Sequence, residues 1–256
     1  MSALAEFLRR NSVQAVGGLP LVHSTQAYGL LKIIKSDKIE ASYCDVFKED
    51  LAYFFVGRPA YKFKDSGEEA QEWELPCCFV MEFASITDIK RIYPFDSGAY
   101  KRYPRYLNMI ERDEFEVASV ANAPHKIIGS FFGSARNYFR LSPKPKKEFA
   151  DEYSLRVTEP EVKAAHALAS HRFKGFDDRR FAIEVQSSAS VDLKLIRPLA
   201  VILPMIYLDD PDIRSKIEDD WKAHPISYVS SCLNVSAYYG QIYSQVLTYY
   251  ENAGYM

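Results

Sequence analysis

The sequence predicts an α+β protein. Strand-like and helical runs follow one another without regular alternation, which argues against a doubly wound sheet. The most apolar runs, LPCCFVMEF (75–83) and LAVILP (199–204), lie far apart in the chain. The segment after residue 205 reads as helices, with Ile213, Ile217 and Trp221 on one stripe and a tyrosine-rich stretch, SAYYGQIYSQVLTYY (236–250), at its end. The expected organisation is a core over 1–205, with an insertion at about 86–150, and a helical extension over 206–256 packed on it.

Taken in order, residues 2–10 make a short helix with Leu4, Phe7 and Leu8 on one face. GGLPLVHST (17–25) reads as turn, short strand and helix start, with Ser24 or Thr25 able to cap. The helix that follows has Ala27, Leu30, Leu31 and Ile34 on its apolar face, ends near Ser36-Asp37, and leads into a short strand KIEAS. LAYFFV (51–56) is a strand broken at Gly57 and Pro59. LPCCFVMEF, apolar on both faces, suits a central strand. Residues 86–124 hold many turn signals. HKIIGSFFGSARNYF (125–139) has one apolar helical side, Ile128, Phe131, Phe132, Ala135 and Phe139, and KPKK (144–147) is a loop. TEPEVKAAHALASH (158–171) is a helix with Pro160 in its first turn, and the loop RFKGFDDRR (172–180) leads to the strand FAIEVQ (181–186). Asp210-Pro211 starts the helical tail.

The chain has 256 residues, 48% of them hydrophobic, 26% charged and 14% aromatic, as in an ordinary globular protein. A net charge of -2 excludes a global field that pulls the protein onto nucleic acid or an anionic membrane. The N-terminus lacks the pattern of a signal peptide, and no run approaches the ~18 apolar residues of a membrane span. The four cysteines show no CxxC and no metal spacing with histidine, so they read as reduced thiols. The expectation is a cytoplasmic protein without a membrane partner and without a metal.

Three patches can carry chemistry. In FAIEVQ, Phe181, Ile183 and Val185 share one face, and Ala182, Glu184 and Gln186 the other. A mid-strand carboxylate beside a core is costly to bury, so it is either functional or on a solvated edge. His23 lies where a strand gives way to a helix, whose free N–H groups suit anionic ligands, although a lone histidine is often only a core or capping group. Arg58 sits on a turn stiffened by Pro59, either as a positioned guanidinium or as an exposed hairpin arginine.

Together HST (23–25), YFFVGRPAY (53–61) and AIEVQ (182–186) resemble, in order, the three conserved segments of the ADP-ribosyltransferase fold. The likeness is greatest to the DarT family of DNA-modifying bacterial toxins. That resemblance implies an ADP-ribosyltransferase-like split β-sandwich with flanking helices, and an enzyme that cleaves NAD+ at the nicotinamide bond. It implies roles too. Glu184 would hold the ribose 2′-hydroxyl and activate the acceptor. His23 would bind a ribose hydroxyl, the Ser24 backbone the nicotinamide amide with Thr25 beside it, and Tyr53 or Phe54 the nicotinamide ring. Arg58 would meet a phosphate or assist the acceptor step.

The acceptor-reading loop before the glutamate offers Arg172, Lys174, Phe176 and Arg179. Basic and aromatic residues interleaved there suit a nucleic-acid strand, and KRYPRY (101–106) and KPKK can add to such a surface or be solvated loops. Alanine at 182, where arginine-modifying members carry an acid, argues against arginine as acceptor. A toxin or anti-phage effector is implied, with an antitoxin or regulatory protein as partner. Two other activities compete: a NAD+ glycohydrolase with water as acceptor, and a metal-dependent nuclease using Asp177, Asp178 and Glu184. A third reading is a binding module without turnover.

Overall fold

The apolar runs become strands and the amphipathic ones helices. In chain order the strands are β1 (Leu21–Gln26), β2 (Lys38–Ile39), β3 (Ser42–Cys44), β4 (Glu49–Val56), β5 (Pro76–Met81), β6 (Ile89–Tyr93), β7 (Glu184–Ser187), β8 (Val191–Asp192), β9 (Ala200–Pro204) and β10 (His224–Tyr228). The α-helices are α1 (Ala3–Leu8), α2 (Ala27–Ser36), α3 (Pro104–Leu107), α4 (Ala123–Ile127), α5 (Ala135–Phe139), α6 (Lys146–Glu152), α7 (Pro160–Ser170), α8 (Met205–Leu208), α9 (Pro211–Ser215) and α10 (Val235–Asn252). The computed structural model describes residues 2–61, 68–171, 178–231 and 234–256. Within them the α+β class holds, built on a mixed sheet.

The chain divides into two units. One holds residues 1–19, 89–185 and 255–256, the other 20–88 and 186–254. The tail after 205 therefore shares a unit with 20–88. It is not wholly helical: β10 pairs in parallel with β9, His224 opposite Ala200 through Tyr228 opposite Pro204.

In the unit formed by 20–88 and 186–254 the strand order is β10-β9-β5-β1-β4, followed by β7, of which Gln186–Ser187 belong here. β5 is central and buried along its whole length, which is why its sequence is apolar on both faces. Adjacent Cys77 and Cys78 are both fully buried, since successive strand residues point to opposite covered faces. β1 runs antiparallel to β5 from Leu21↔Met81 to Gln26↔Pro76. α2 buries Ala27, Leu30 and Ile33, while Leu31 of the expected face is 39% exposed. α2 ends at Asp37 in a left-handed conformation (φ 57°), whose carboxylate meets Lys216, Lys194 and the Trp221 indole N–H. α10 buries Tyr238, Tyr239, Ile242, Val246 and Tyr250, a helical stripe.

The unit formed by 1–19 and 89–185 has an aromatic core. Phe7 of α1 packs on Phe131, Phe149 and Tyr153 at centroid distances of 5.4–6.2 Å. Such rings each contribute roughly 1.5–3 kcal/mol by leaving water. The expected insertion supplies much of this core, including Phe95, Phe115 and Tyr138, all 0% exposed. The single helix expected over 125–139 is broken into α4, one π-type turn (Ile128–Phe132) and α5. The break falls at Gly133, φ 74°, a conformation other residues adopt only with strain. Gly129 is dictated by packing: a Cβ there would lie 2.2 Å from the Gln14 carbonyl oxygen.

Candidate functional site

His23 lies inside β1, not at a helix start. Neither Ser24 nor Thr25 caps a helix: pairing with β5 down to Pro76 carries the strand through Gln26, and α2 opens at Ala27. The half-buried His23 ring has Phe54 and Phe79 near it, with centroids 5.7 and 6.3 Å away. Its Nδ1 is 2.9 Å from the Tyr53 carbonyl oxygen. A carbonyl only accepts, so Nδ1 carries the proton and Nε2 presents a lone pair. Burial pushes the imidazole pKa down, against the smaller opposing effect of the Tyr53 bond, so the ring is neutral near pH 7. Nε2 is thus an acceptor matched to a hydroxyl.

Ser24 Oγ accepts the Ala60 N–H at 3.0 Å and ties β1 to the segment after Arg58. Thr25 Oγ1 faces Gly29, where a Cβ would stand 2.1 Å away, so that glycine makes room for the hydroxyl. Tyr53 is half-buried, and its hydroxyl donates to Cys44 Sγ at 2.8 Å. Phe54 is 0% exposed and belongs to the core. Of the two aromatic candidates, Tyr53 is the one that reaches the surface.

The arginine turn is built as its glycine and proline suggest. Gly57 has φ 63° and donates to the Pro20 carbonyl at 2.8 Å, and the Arg58 N–H bonds back to Val56 at 2.7 Å. Arg58 is 3% exposed, so it is not a hairpin arginine in solvent. Its guanidinium lies 5.1 Å from the Tyr243 ring centroid, and the Tyr243 hydroxyl donates to the Pro59 carbonyl. The tyrosine-rich helix α10 therefore braces this turn. Tyr239, one helical turn earlier, stacks on Tyr61 at 4.8 Å.

Glu184 is the first residue of β7, not a mid-strand residue, because Asp178–Phe181 form a 3-10 turn. It is fully buried, which removes the solvated-edge reading. Gln186, two residues on, is fully buried as well. The Glu184 carboxylate accepts from the Ser97 backbone N–H at 3.1 Å and from the Ser97 hydroxyl at 2.6 Å. The Tyr138 hydroxyl accepts the preceding Ile183 N–H at 3.0 Å. The turn bearing Ser97 is clamped too. Asp96 N–H donates to the Arg179 carbonyl, and the Arg179 guanidinium meets the Asp96 carboxylate at 3.2 Å. Arg179 is 4% exposed and holds this clamp; it does not offer its charge to a nucleic-acid strand as the loop reading expected. Arg172, Lys174, Phe176 and Asp177, and the side chain of Asp178, lie outside the described residues.

Asp96, Ser97, Tyr138 and Tyr243 were missed from sequence. Asp-Ser-Gly does signal a cap, and Asp96 caps the 3-10 turn Ser97–Arg102, but nothing local points to partners more than 80 residues away.

Among the described residues no group of three or more His, Cys, Asp or Glu is placed to hold a metal ion, and no helix is long and apolar enough to cross a membrane. No family model, no curated protein and no solved structure matches the chain.

Proposed function

We propose that the protein is a NAD+-dependent ADP-ribosyltransferase that modifies a macromolecule, nucleic acid first among the candidates. The observation that carries this reading is the Glu184 carboxylate, withdrawn from water and oriented by the Ser97 N–H and hydroxyl. A neutral histidine with a free-facing Nε2, a half-exposed tyrosine and a fully buried carboxylate are the groups the chemistry needs. The C–N bond between ribose and nicotinamide breaks, and nicotinamide leaves with the bonding electrons. The ribose carbon becomes oxocarbenium-like, and a carboxylate in a low-dielectric site stabilises that charge. The acceptor then attacks the same carbon and gives up its proton. Glu184 holds the ribose 2′-hydroxyl and takes that proton, His23 accepts from a ribose hydroxyl, and Tyr53 covers the ring. Arg58, packed against Tyr243, sets the turn beside Ser24.

With water as acceptor the same groups make a NAD+ glycohydrolase. The test is mass spectrometry of DNA, RNA and protein from cells expressing the chain. The expected result is a macromolecule carrying the mass of ADP-ribose, absent with Glu184→Gln. NAD+ depletion with no modified macromolecule would assign hydrolysis, and neither change would refute both.

A further inference from the structure

We propose that the unit formed by 1–19 and 89–185 carries a binding site for a nucleoside monophosphate, lined by none of the residues given a role in the proposed transfer. Two basic runs 38 residues apart in sequence, KRYPRY and KPKK, converge on one cavity of about 330 Å³. That volume is near the lower end of the ~300–1,000 Å³ common for small-molecule sites. Arg105 of α3, Lys146 of α6 and Lys163 of α7 line it, and among the described residues no acidic side chain does. Among the described residues these three cations form no ion pair.

Apart from Tyr106 and His166, the rest of the lining is apolar. Phe149, 1% exposed, and Leu155 contribute a wall, and Ala164 and Ala167 on one face of α7 leave a slot that longer side chains would fill. His166 stacks on Phe149 at 4.4 Å, and its Nε2 is fixed at 2.9 Å on the Lys144 carbonyl. The local field is positive. Burial lowers the His166 pKa, the bond to the Lys144 carbonyl opposes it, and Lys146 lowers it further; after burial, Arg180 and Arg105 lower that of His171. A neighbouring cavity of about 560 Å³, lined by Arg140, Lys144 and Arg180, shares Lys146.

The chemistry selects the ligand class. A slot beside Ala164, Ala167 and the half-buried Tyr106 accepts the face of a planar ring. Three cations exceed what one carboxylate needs, while a phosphomonoester carries about -1.5 to -2 charges near neutral pH. A cavity of this size holds one ring system and its phosphate, not a dinucleotide.

The test is calorimetric titration of the full chain, at low salt, with the four common nucleoside 5′-monophosphates, their parent nucleosides and inorganic phosphate. At least one monophosphate is expected to bind tighter than about 1 mM, with its nucleoside and inorganic phosphate each about tenfold weaker or worse. Lys146→Ala, Lys163→Ala and Arg105→Ala should each weaken binding about fivefold, because each removes a charged donor from a partly screened site. Ala167→Leu should abolish binding at an unchanged melting temperature; the three cation variants serve if it does not fold. No binding by any monophosphate would overturn the proposal, and so would inorganic phosphate binding equally well or indifference to the cation substitutions. NAD+ takes no part in the assay, so its outcome is independent of the proposed transferase activity.

Discussion

Ser97 offers the sharpest test of how Glu184 is held. Its hydroxyl lies 2.6 Å from one carboxylate oxygen and its backbone N–H 3.1 Å from the other, and both residues are buried. Ser97→Ala removes the shorter bond and leaves the backbone one. Hydrogen bonds to charged groups contribute about 1.5–3 kcal/mol, so a loss of about 2 kcal/mol is expected. For a chain of 256 residues that corresponds to a melting temperature lower by about 4–8 °C. Glu184→Gln keeps the shape but turns an NH2 toward one of the two donors, and should cost a similar amount. Because the substitutions share one contact, the double variant should be less destabilised than the sum by about 1–2 kcal/mol. Urea and thermal unfolding followed by circular dichroism measure all four corners of the cycle. If Ser97→Ala is neutral within about 0.5 kcal/mol and the cycle is additive, the Ser97–Glu184 contact does not exist in solution.

Other expectations follow from single contacts. Gly129→Ala, whose methyl would fall 2.2 Å from the Gln14 carbonyl oxygen, should cost more than about 2 kcal/mol and cut soluble yield, whereas Gly18→Ala, with open space around it, should be close to neutral. Burial raises the Asp37 pKa, but Lys216, Lys194 and Trp221 outweigh it and hold the carboxyl well below its ordinary range. The folded-state pKa is therefore depressed, and the stability this gives is present above about pH 4 and lost as pH falls further. Urea midpoints from pH 7 to 2 should fall in the wild type across that acid limb, and less so in Asp37→Asn, which should already be about 2 kcal/mol weaker at pH 7. Tyr243→Leu removes the ring beside Arg58 and the bond to Pro59, and should lower stability by about 1–2 kcal/mol. If the Arg58 turn serves NAD+, that variant also raises KM for NAD+.

The strands β4, β5 and β9 and the helices α2, α7 and α10 were legible because their periodicity and breakers are local. β5 announced its central place by being apolar on both faces. β10 was not legible: HPISY is short, contains Pro225 and is half-polar, and it is a strand because β9 pairs with it. β6 hid among turn signals for the same reason. The apolar pattern of 125–139 continues through Gly133, so periodicity suggested one helix, while the positive φ there ends it. Of the site, the histidine and arginine strands were readable as patterns. That Phe54 is core and Arg179 an internal clamp was not, since burial depends on what covers a strand or turn. The partners of Glu184 and Arg58, Ser97 and Tyr243, lie 87 and 185 residues away in sequence, beyond any local signal.

Nicotinamide release from NAD+, followed by chromatography, tests the proposed transfer for the wild-type chain and for Glu184→Gln with its folding checked by circular dichroism. Measurable release by the wild type is expected, increased by the right acceptor, with a fall of about a hundredfold or more in the folded variant. Release undiminished in Glu184→Gln would contradict the assignment of that carboxylate, and no release from the wild type with DNA, RNA, protein or water as acceptor would contradict the activity itself.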